Sequence, residues 1–324
     1  MANTVKKEDN WINLIKLCSI LVVVLGHYNF TDADERRFTG WLLYIVSSAV
    51  SVMFIYSGYY LCKNRTLDEH DNVRKYLGHL ATITAVWIFV YFLRDVGYAE
   101  KRIDVIYEIF QSTMFDVTRF NSGHFWFIQN LFLAVAVMFI FKKTHFRVWE
   151  VILLIALHKC YGWPLINALA SIGIGFILAE TEKRFDKKML FSCLCIGVVA
   201  AGVLCAFSYG EISVNIFIEA VIEAMRYLLS TSVAAIGICM DSLVPLRLGI
   251  AGHYIRKIST VIYLCHNLFV QYAFEVAADH GALWGEEKFF IYSVGTAIIL
   301  SFGTGILLCA ISELKPFGWL KKIY

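Results

Sequence analysis

The sequence predicts an all-α polytopic membrane protein with about ten transmembrane helices. Three observations carry that reading. Hydrophobic residues make up 59% of the chain and charged residues 17%, where a soluble domain carries about 25% charged residues. Apolar runs such as 46–61, 131–141 and 189–207 recur too often for one globular core. Each is near, or extends to, the roughly 17–25 residues that cross a bilayer. The runs do not alternate with period two, which excludes a β-barrel.

The expected spans are 11–30, 41–62, 76–97, 124–141, 148–160, 164–180, 189–207, 226–240, 258–279 and 288–312. The first opens at Trp11 and carries Lys16 and His27 inside its apolar run. The second ends at Lys63, and the third follows the basic pair Arg74 and Lys75. The fourth opens at His124 and Trp126. The fifth is short and ends on His158 and Lys159. Pro164 opens the sixth, at an edge where a missing N–H is harmless. The seventh follows Lys187 and Lys188. The eighth has an earlier start open to it, in the amphipathic stretch 212–225, where Glu219 and Glu223 sit one turn apart. The ninth contains Tyr263 and His266 towards its inner half, with Ser259 as a helix-start residue. The tenth ends before Lys315.

Basic residues orient this series. With a cytoplasmic N-terminus, every inner connection holds at least three Lys or Arg where interior, and the inner side has about twice the outer total. Both termini are then cytoplasmic. The connection 98–123 lies outside and reads either as a functional loop or as a surface helix. No small-residue cleavage site follows the first run, so it reads as a retained helix. Nine cysteines fall mostly inside apolar runs without any Cys-x-x-Cys pair. Packing explains them, and neither a disulfide framework nor a metal site is expected. A net charge of +3 gives no argument for nucleic acid.

Lys16 and His27 are the chemical signal. An ionisable side chain in a membrane helix faces a bundle interior or a wet cavity. Eleven residues at about 100° each make about three turns, so both project from nearly one face. They stand roughly 16 Å apart along the axis. Such a face suits a long anionic ligand with a reactive tip. A snorkelling Lys16 and an interfacial His27 are the structural alternatives.

Asn13-x-x-Lys16-x10-His27 resembles the first-helix Asp-x-x-Arg-x10-His pattern of the acyltransferase 3 family of integral membrane acyltransferases. Three further elements follow in the family's order: Phe54-Ile-Tyr-Ser57-Gly58, Gly123-His124-Phe125-Trp126-Phe127, and Ser259-Thr-Val-Ile-Tyr263-Leu-Cys-His266. Arg74-Lys75-Tyr-Leu-Gly78-His79 departs from the family's Arg-Arg-x-x-Arg and following proline, and the sequence leaves open whether His79 takes the place of the missing arginine. The resemblance covers nearly the whole chain. It implies one membrane domain over 1–324, about ten helices around a central cavity, and acetyl-CoA or another acyl-CoA as cytosolic donor. The acceptor is a hydroxyl of an extracytoplasmic sugar or polysaccharide in the bacterial cell envelope.

On that resemblance His27 acts as general base, with Asn13 beside it in the catalytic set. An imidazole titrating near about pH 6.5 fits the task, and an acyl-imidazole relay is the alternative. Lys16, Arg74, Lys75, Ser57, Tyr263 and His266 are the expected donor contacts. His124, Trp126 and Asn130 are the expected acceptor contacts, with Gln129 nearby. The partners implied are the lipid bilayer, acyl-CoA and a glycan or glycolipid, and a homo-oligomer is compatible with the sequence. The competing reading is a small-solute transporter or a non-catalytic sensing relative. The absence of mid-span prolines and of an internal repeat favours the enzyme.

Overall fold

The computed structural model describes residues 10–26, 36–98, 126–209, 216–244, 246–279, 281 and 287–314. Among these, ten α-helices follow one another: α1 (Asn10–Gly26), α2 (Arg36–Lys63), α3 (His70–Tyr98), α4 (Trp126–Ile140), α5 (Val148–Tyr161), α6 (Pro164–Thr181), α7 (Lys187–Tyr209), α8 (Ile216–Leu243), α9 (Ile250–Asp279) and α10 (Glu287–Ser312). A short 3-10 turn, Glu182–Arg184, links α6 to α7. Each expected span coincides with one helix.

Six of these helices are long and apolar enough to cross a membrane, or seven when the bent pair Tyr254–Phe269 and Tyr272–Asp279 counts as one span. The expectation of about ten full crossings is therefore met in part. The 17-residue α1 and the 15-residue α4 are shorter apolar helices that border residues outside the description. The 14-residue α5 reaches only about 21 Å, less than the roughly 30 Å hydrocarbon core.

Helices α2, α3, α8 and α9 begin five to ten residues before their expected spans. α8 starts at Ile216, within the amphipathic stretch, and α9 starts at Ile250. Ser259 thus lies inside α9, not at its start, and its Oγ donates to Arg256 O at 2.9 Å. The helix continues through Arg256 and Lys257 because a charged turn is tolerated where it faces a polar space.

α2 is the packing axis, in contact with α1, α6, α7 and α8. It meets α6 at backbone distance. A Cβ on Gly58 would stand 2.2 Å from Ile172 O, and one on Gly175 would stand 2.1 Å from Ile55 O. Small residues that let backbones approach drive such crossings in lipid, where no hydrophobic effect separates helix from tail. Gly58 is thus a packing residue. α7 lies at the periphery, with Phe191 and Val198 exposed. Tight turns join the rods: Gly162, at φ 66°, returns its N–H to His158 O at 2.7 Å, and Pro164 then opens α6.

The start of α1 is tied to the end of α8. Asp241 accepts the backbone N–H groups of Trp11 at 2.9 Å and Ile12 at 3.1 Å. Trp11 Nε1 donates to Val244 O at 2.8 Å, and Asn10 Nδ2 donates to Leu246 O at 2.7 Å. The carboxylate satisfies two of the four N–H groups that a helix start leaves unpaired. It also sits at the positive end of the helix dipole. Because α9 begins four residues after Leu246, α1 and α9 start side by side.

A buried polar knot joins α2, α5, α6 and α8. Tyr227 Oη donates to Asn167 Oδ1 at 2.8 Å, and Ser51 Oγ and Ser171 Oγ lie 3.4 and 3.3 Å from the same oxygen. His158 Nδ1 stands 2.7 Å from Glu223 Oε1, and Arg226 donates to Glu223 Oε2 at 2.6 Å. Lys159 pairs with Glu219. Buried charges persist in this way when paired and hydrogen-bonded.

Candidate functional site

Lys16 projects from the second turn of α1 into the bundle. Its Nζ stands 4.7 Å from the centroid of the Tyr60 ring and 5.7 Å from that of Tyr56. A cation over an aromatic face gains about 0.5–2 kcal/mol. Both rings belong to α2, so the cation is positioned by the helix against which α1 packs. Lys16 does not turn away to snorkel.

It lines a cavity of about 460 Å³ enclosed by five helices, a size within the roughly 300–1,000 Å³ range of small-molecule sites. The walls are Lys16 and Ile20 from α1, Met53 and Ser57 from α2, and Tyr76, His79, Leu80 and Ile83 from α3. α4 supplies Phe127, Ile128 and Leu131, and α9 supplies Arg256, Lys257, Ser259, Thr260 and Tyr263. Among the described residues, three cations and no carboxylate face this space.

The cavity is chemically polarised. Phe127 packs on Phe54 at 4.4 Å and on Tyr263 at 5.3 Å between ring centroids, making an aromatic wall at one end. Tyr91 Oη donates to Leu264 O at 3.0 Å at the same level. The rings of His70 and Phe139 meet at 5.3 Å, so α3 and α4 run antiparallel. Along α9, Arg256 and Lys257 precede Tyr263 by seven and six residues, about 9–10 Å. Since α1 and α9 start together, Lys16, Arg256 and Lys257 share the end remote from the aromatic wall. Arg256, Thr260 and Tyr263 recur at i, i+4 and i+7, one stripe of α9 that runs between the two ends.

The expected donor contacts divide. Lys16, Ser57 and Tyr263 meet in this cavity, and so does His79, the candidate substitute for an arginine. Arg74 lines a separate space of about 420 Å³ between α3 and α4, with His70, Leu77 and Phe139. Lys75 is exposed on α3. His266 lies one turn beyond Tyr263, buried, with Nδ1 3.1 Å from Ile262 O, and does not line the cavity.

Asn13 is buried on α1, a turn before Lys16, and outside the cavity wall. Asn130 is buried and its Nδ2 donates within α4, to Trp126 O at 2.6 Å. Trp126 packs near Phe54, 6.2 Å between ring centroids. Gln129 Oε1 is buried without a hydrogen-bond partner. His27 and His124 lie outside the described residues, as does the connection 98–123 beyond Tyr98, the last residue of α3. His27 directly follows Gly26, the last described residue of α1.

Tyr76, Arg256, Lys257 and Thr260 are cavity residues that the sequence reading missed. Arg256 and Lys257 were visible only as basic residues of an inner connection. The i, i+7 spacing of Arg256 with Tyr263 is the signal that would have found it, and Lys257 is its neighbour in sequence. Among the described residues, no group of three or more His, Cys, Asp or Glu is placed to hold a metal ion, and all nine cysteines are free thiols.

Comparison with known proteins agrees with this architecture at one level. No curated protein and no solved structure matches the chain. A family model described as an acyltransferase domain matches residues 9–313, from just before α1 to the end of α10. The match spans every helix described above. The chain is a multi-pass membrane protein that belongs to the acyltransferase 3 family.

Proposed function

We propose that this protein is a membrane O-acetyltransferase of a bacterial inner membrane, with both termini cytoplasmic. It moves an acetyl group from cytosolic acetyl-CoA to a hydroxyl of an extracytoplasmic sugar or polysaccharide. The observation that carries this reading is the polarised cavity: among the described residues, three cations and no carboxylate at one end, an aromatic wall at the other. Such a space favours a ligand with an anionic head and a less polar tail. The donor's phosphates seek Lys and Arg as charge-assisted partners. Its pantetheine arm, roughly 15–20 Å extended, is long enough to pass the cavity and approach the level of His27.

In the reaction, the His27 imidazole takes the proton of the acceptor hydroxyl. The oxygen attacks the thioester carbonyl, the carbon–sulfur bond breaks, and the coenzyme A thiolate leaves and is protonated. Ester and free thiol are the products.

The test uses full-length protein in proteoliposomes, with acetyl-CoA labelled in the acetyl group and a glycan extract of the host as acceptor. Label transferred to glycan, with one thiol released per ester formed, is the expected result. His27→Ala abolishes transfer while the protein still inserts. Full activity in that variant overturns the role of His27. Solute uptake with no dependence on acetyl-CoA overturns the enzyme reading.

A further inference from the structure

We propose that Arg256 and Lys257 are the residues that recognise the phosphates of the donor's nucleotide, and that Glu313 is a resident counter-ion which the incoming phosphate displaces. This deepens the acetyltransferase reading above and rests on it.

The two cations arrive at the cavity differently. Arg256 stands at the head of the α9 stripe that continues through Thr260 to Tyr263. It is exposed, at the open rim of the space. Lys257 is rotated about 100° from it on the helix, towards α10. There its Nζ lies 3.2 Å from Glu313 Oε1, with the lysine side chain 13% exposed and the glutamate 42%. Lys257 lines the cavity and Glu313 does not. The lysine therefore lies between a solvated carboxylate on one side and the ligand space on the other. A partly exposed ion pair of this kind is weak. A phosphate carries more charge and more acceptor oxygens than a carboxylate, so it wins the lysine when it enters. Lys16 stands across the cavity, over Tyr60, and serves the same anion from the opposite wall.

This arrangement separates two parts of the donor. Arg256 and Lys257 contact the phosphates, whereas the stripe beyond Thr260 meets only the pantetheine arm and the thioester. A donor that lacks the nucleotide should not sense either cation.

The experiment compares acetyl-CoA with S-acetylpantetheine, which carries the same thioester without phosphates, in proteoliposomes holding the full chain. Expected for Arg256→Gln and for Lys257→Gln is a rise of about tenfold in KM for acetyl-CoA, the loss of one charge-assisted contact. The KM for S-acetylpantetheine stays within about twofold. Glu313→Gln lowers the KM for acetyl-CoA by about threefold and leaves the other donor unchanged. Adenosine 3′,5′-bisphosphate inhibits the wild-type protein competitively against acetyl-CoA, an arm that needs no variant. Equal changes for both donors, unchanged kinetics in both glutamine variants, or no inhibition by the bisphosphate overturns the assignment. A wild-type protein that turns over neither thioester overturns the acetyltransferase reading instead, so the two failures are distinguishable.

Discussion

Asp241, on the last turn of α8, accepts the backbone N–H of Trp11 at 2.9 Å. One carboxylate thus fixes where α1 begins, and with it where Lys16 stands one turn on. Replacing Asp241 by Ala unpairs two buried N–H groups. The expected cost is about 1–2 kcal/mol, the usual scale of a lost helix cap. Thermal unfolding in detergent measures it as a lower midpoint. Acyl transfer falls with it, because α1 loses its anchor.

Lys16 offers a charge that Arg can replace and Ala cannot. Lys16→Ala should raise the KM for acetyl-CoA by about tenfold, the loss of one charged contact, whereas Lys16→Arg keeps it within about threefold, since guanidinium also stacks on aromatic rings. Tyr60→Leu should fall between them, because it removes the ring 4.7 Å from Nζ but not the charge. Steady-state kinetics with varied donor checks the order. Unchanged donor dependence in Lys16→Ala would remove this residue from the donor site.

Phe127 sets the length of the space beyond the cations. It lines the cavity and is held between Phe54 and Tyr263. Phe127→Ala should admit butyryl and hexanoyl thioesters that the parent protein turns over poorly. The variant loses about 3–5 kcal/mol of stability at most, the range for a large buried aromatic. A panel of acyl-CoA donors of increasing chain length reads the change. An unaltered chain-length profile would place the acyl group elsewhere.

Gly58 leaves no room for a side chain against the α6 backbone. Gly58→Val forces α2 from α6 at the packing axis of the bundle. A loss of about 1–3 kcal/mol is expected from overpacking. Gly78→Ala on α3, where an added Cβ meets nothing within 4 Å, is the matched control. Size-exclusion profiles and thermal midpoints should distinguish the two variants.

Glu150 at the start of α5 is pulled below the usual carboxylate range. The Arg147 backbone N–H, at 2.8 Å, is the larger cause, followed by the Lys143 ammonium, at 2.7 and 2.8 Å from the two oxygens. The unfolded chain therefore binds more protons than the folded one as acid is added. The resulting stabilisation is complete above the unfolded pKa and is lost as pH falls through the folded one. Hydrogen-exchange protection at the α5 N-terminus, with the intrinsic pH dependence of exchange divided out, should fall on acidification in the wild type. In Glu150→Gln that protection should no longer change with pH in the same window.

Helix positions were legible because lipid demands long apolar runs, and those runs stand out in any window. Helix limits were less so. The start of α8 was blurred by Glu219 and Glu223, whose partners Lys159 and His158 lie on α5, some sixty residues away, and by Arg226, which pairs with Glu223 one turn back. Pairing across such a distance leaves no periodic trace. The start of α9 was obscured for the opposite reason: Arg256 and Lys257 interrupt the apolar run, although Arg256 keeps the i, i+7 helical spacing with Tyr263. Lys16 was legible by its isolation in an apolar stretch, but its seat over Tyr60 was not, since that contact joins two helices. Arg74 was read by adjacency in sequence to the donor loop. Its side of α3 turns instead to the neighbouring space shared with α4.

The aromatic wall of Phe54, Phe127 and Tyr263 has a bioenergetic consequence. A passage joining cytosol to exterior would short-circuit the membrane potential on which the cell depends. Tilted and edge-on rings stand at the end of the space remote from its cations, and an unpaired ion pays heavily to leave water for such apolar surroundings. On the acetyltransferase reading, a chemical group crosses at this point while the host's battery stays charged.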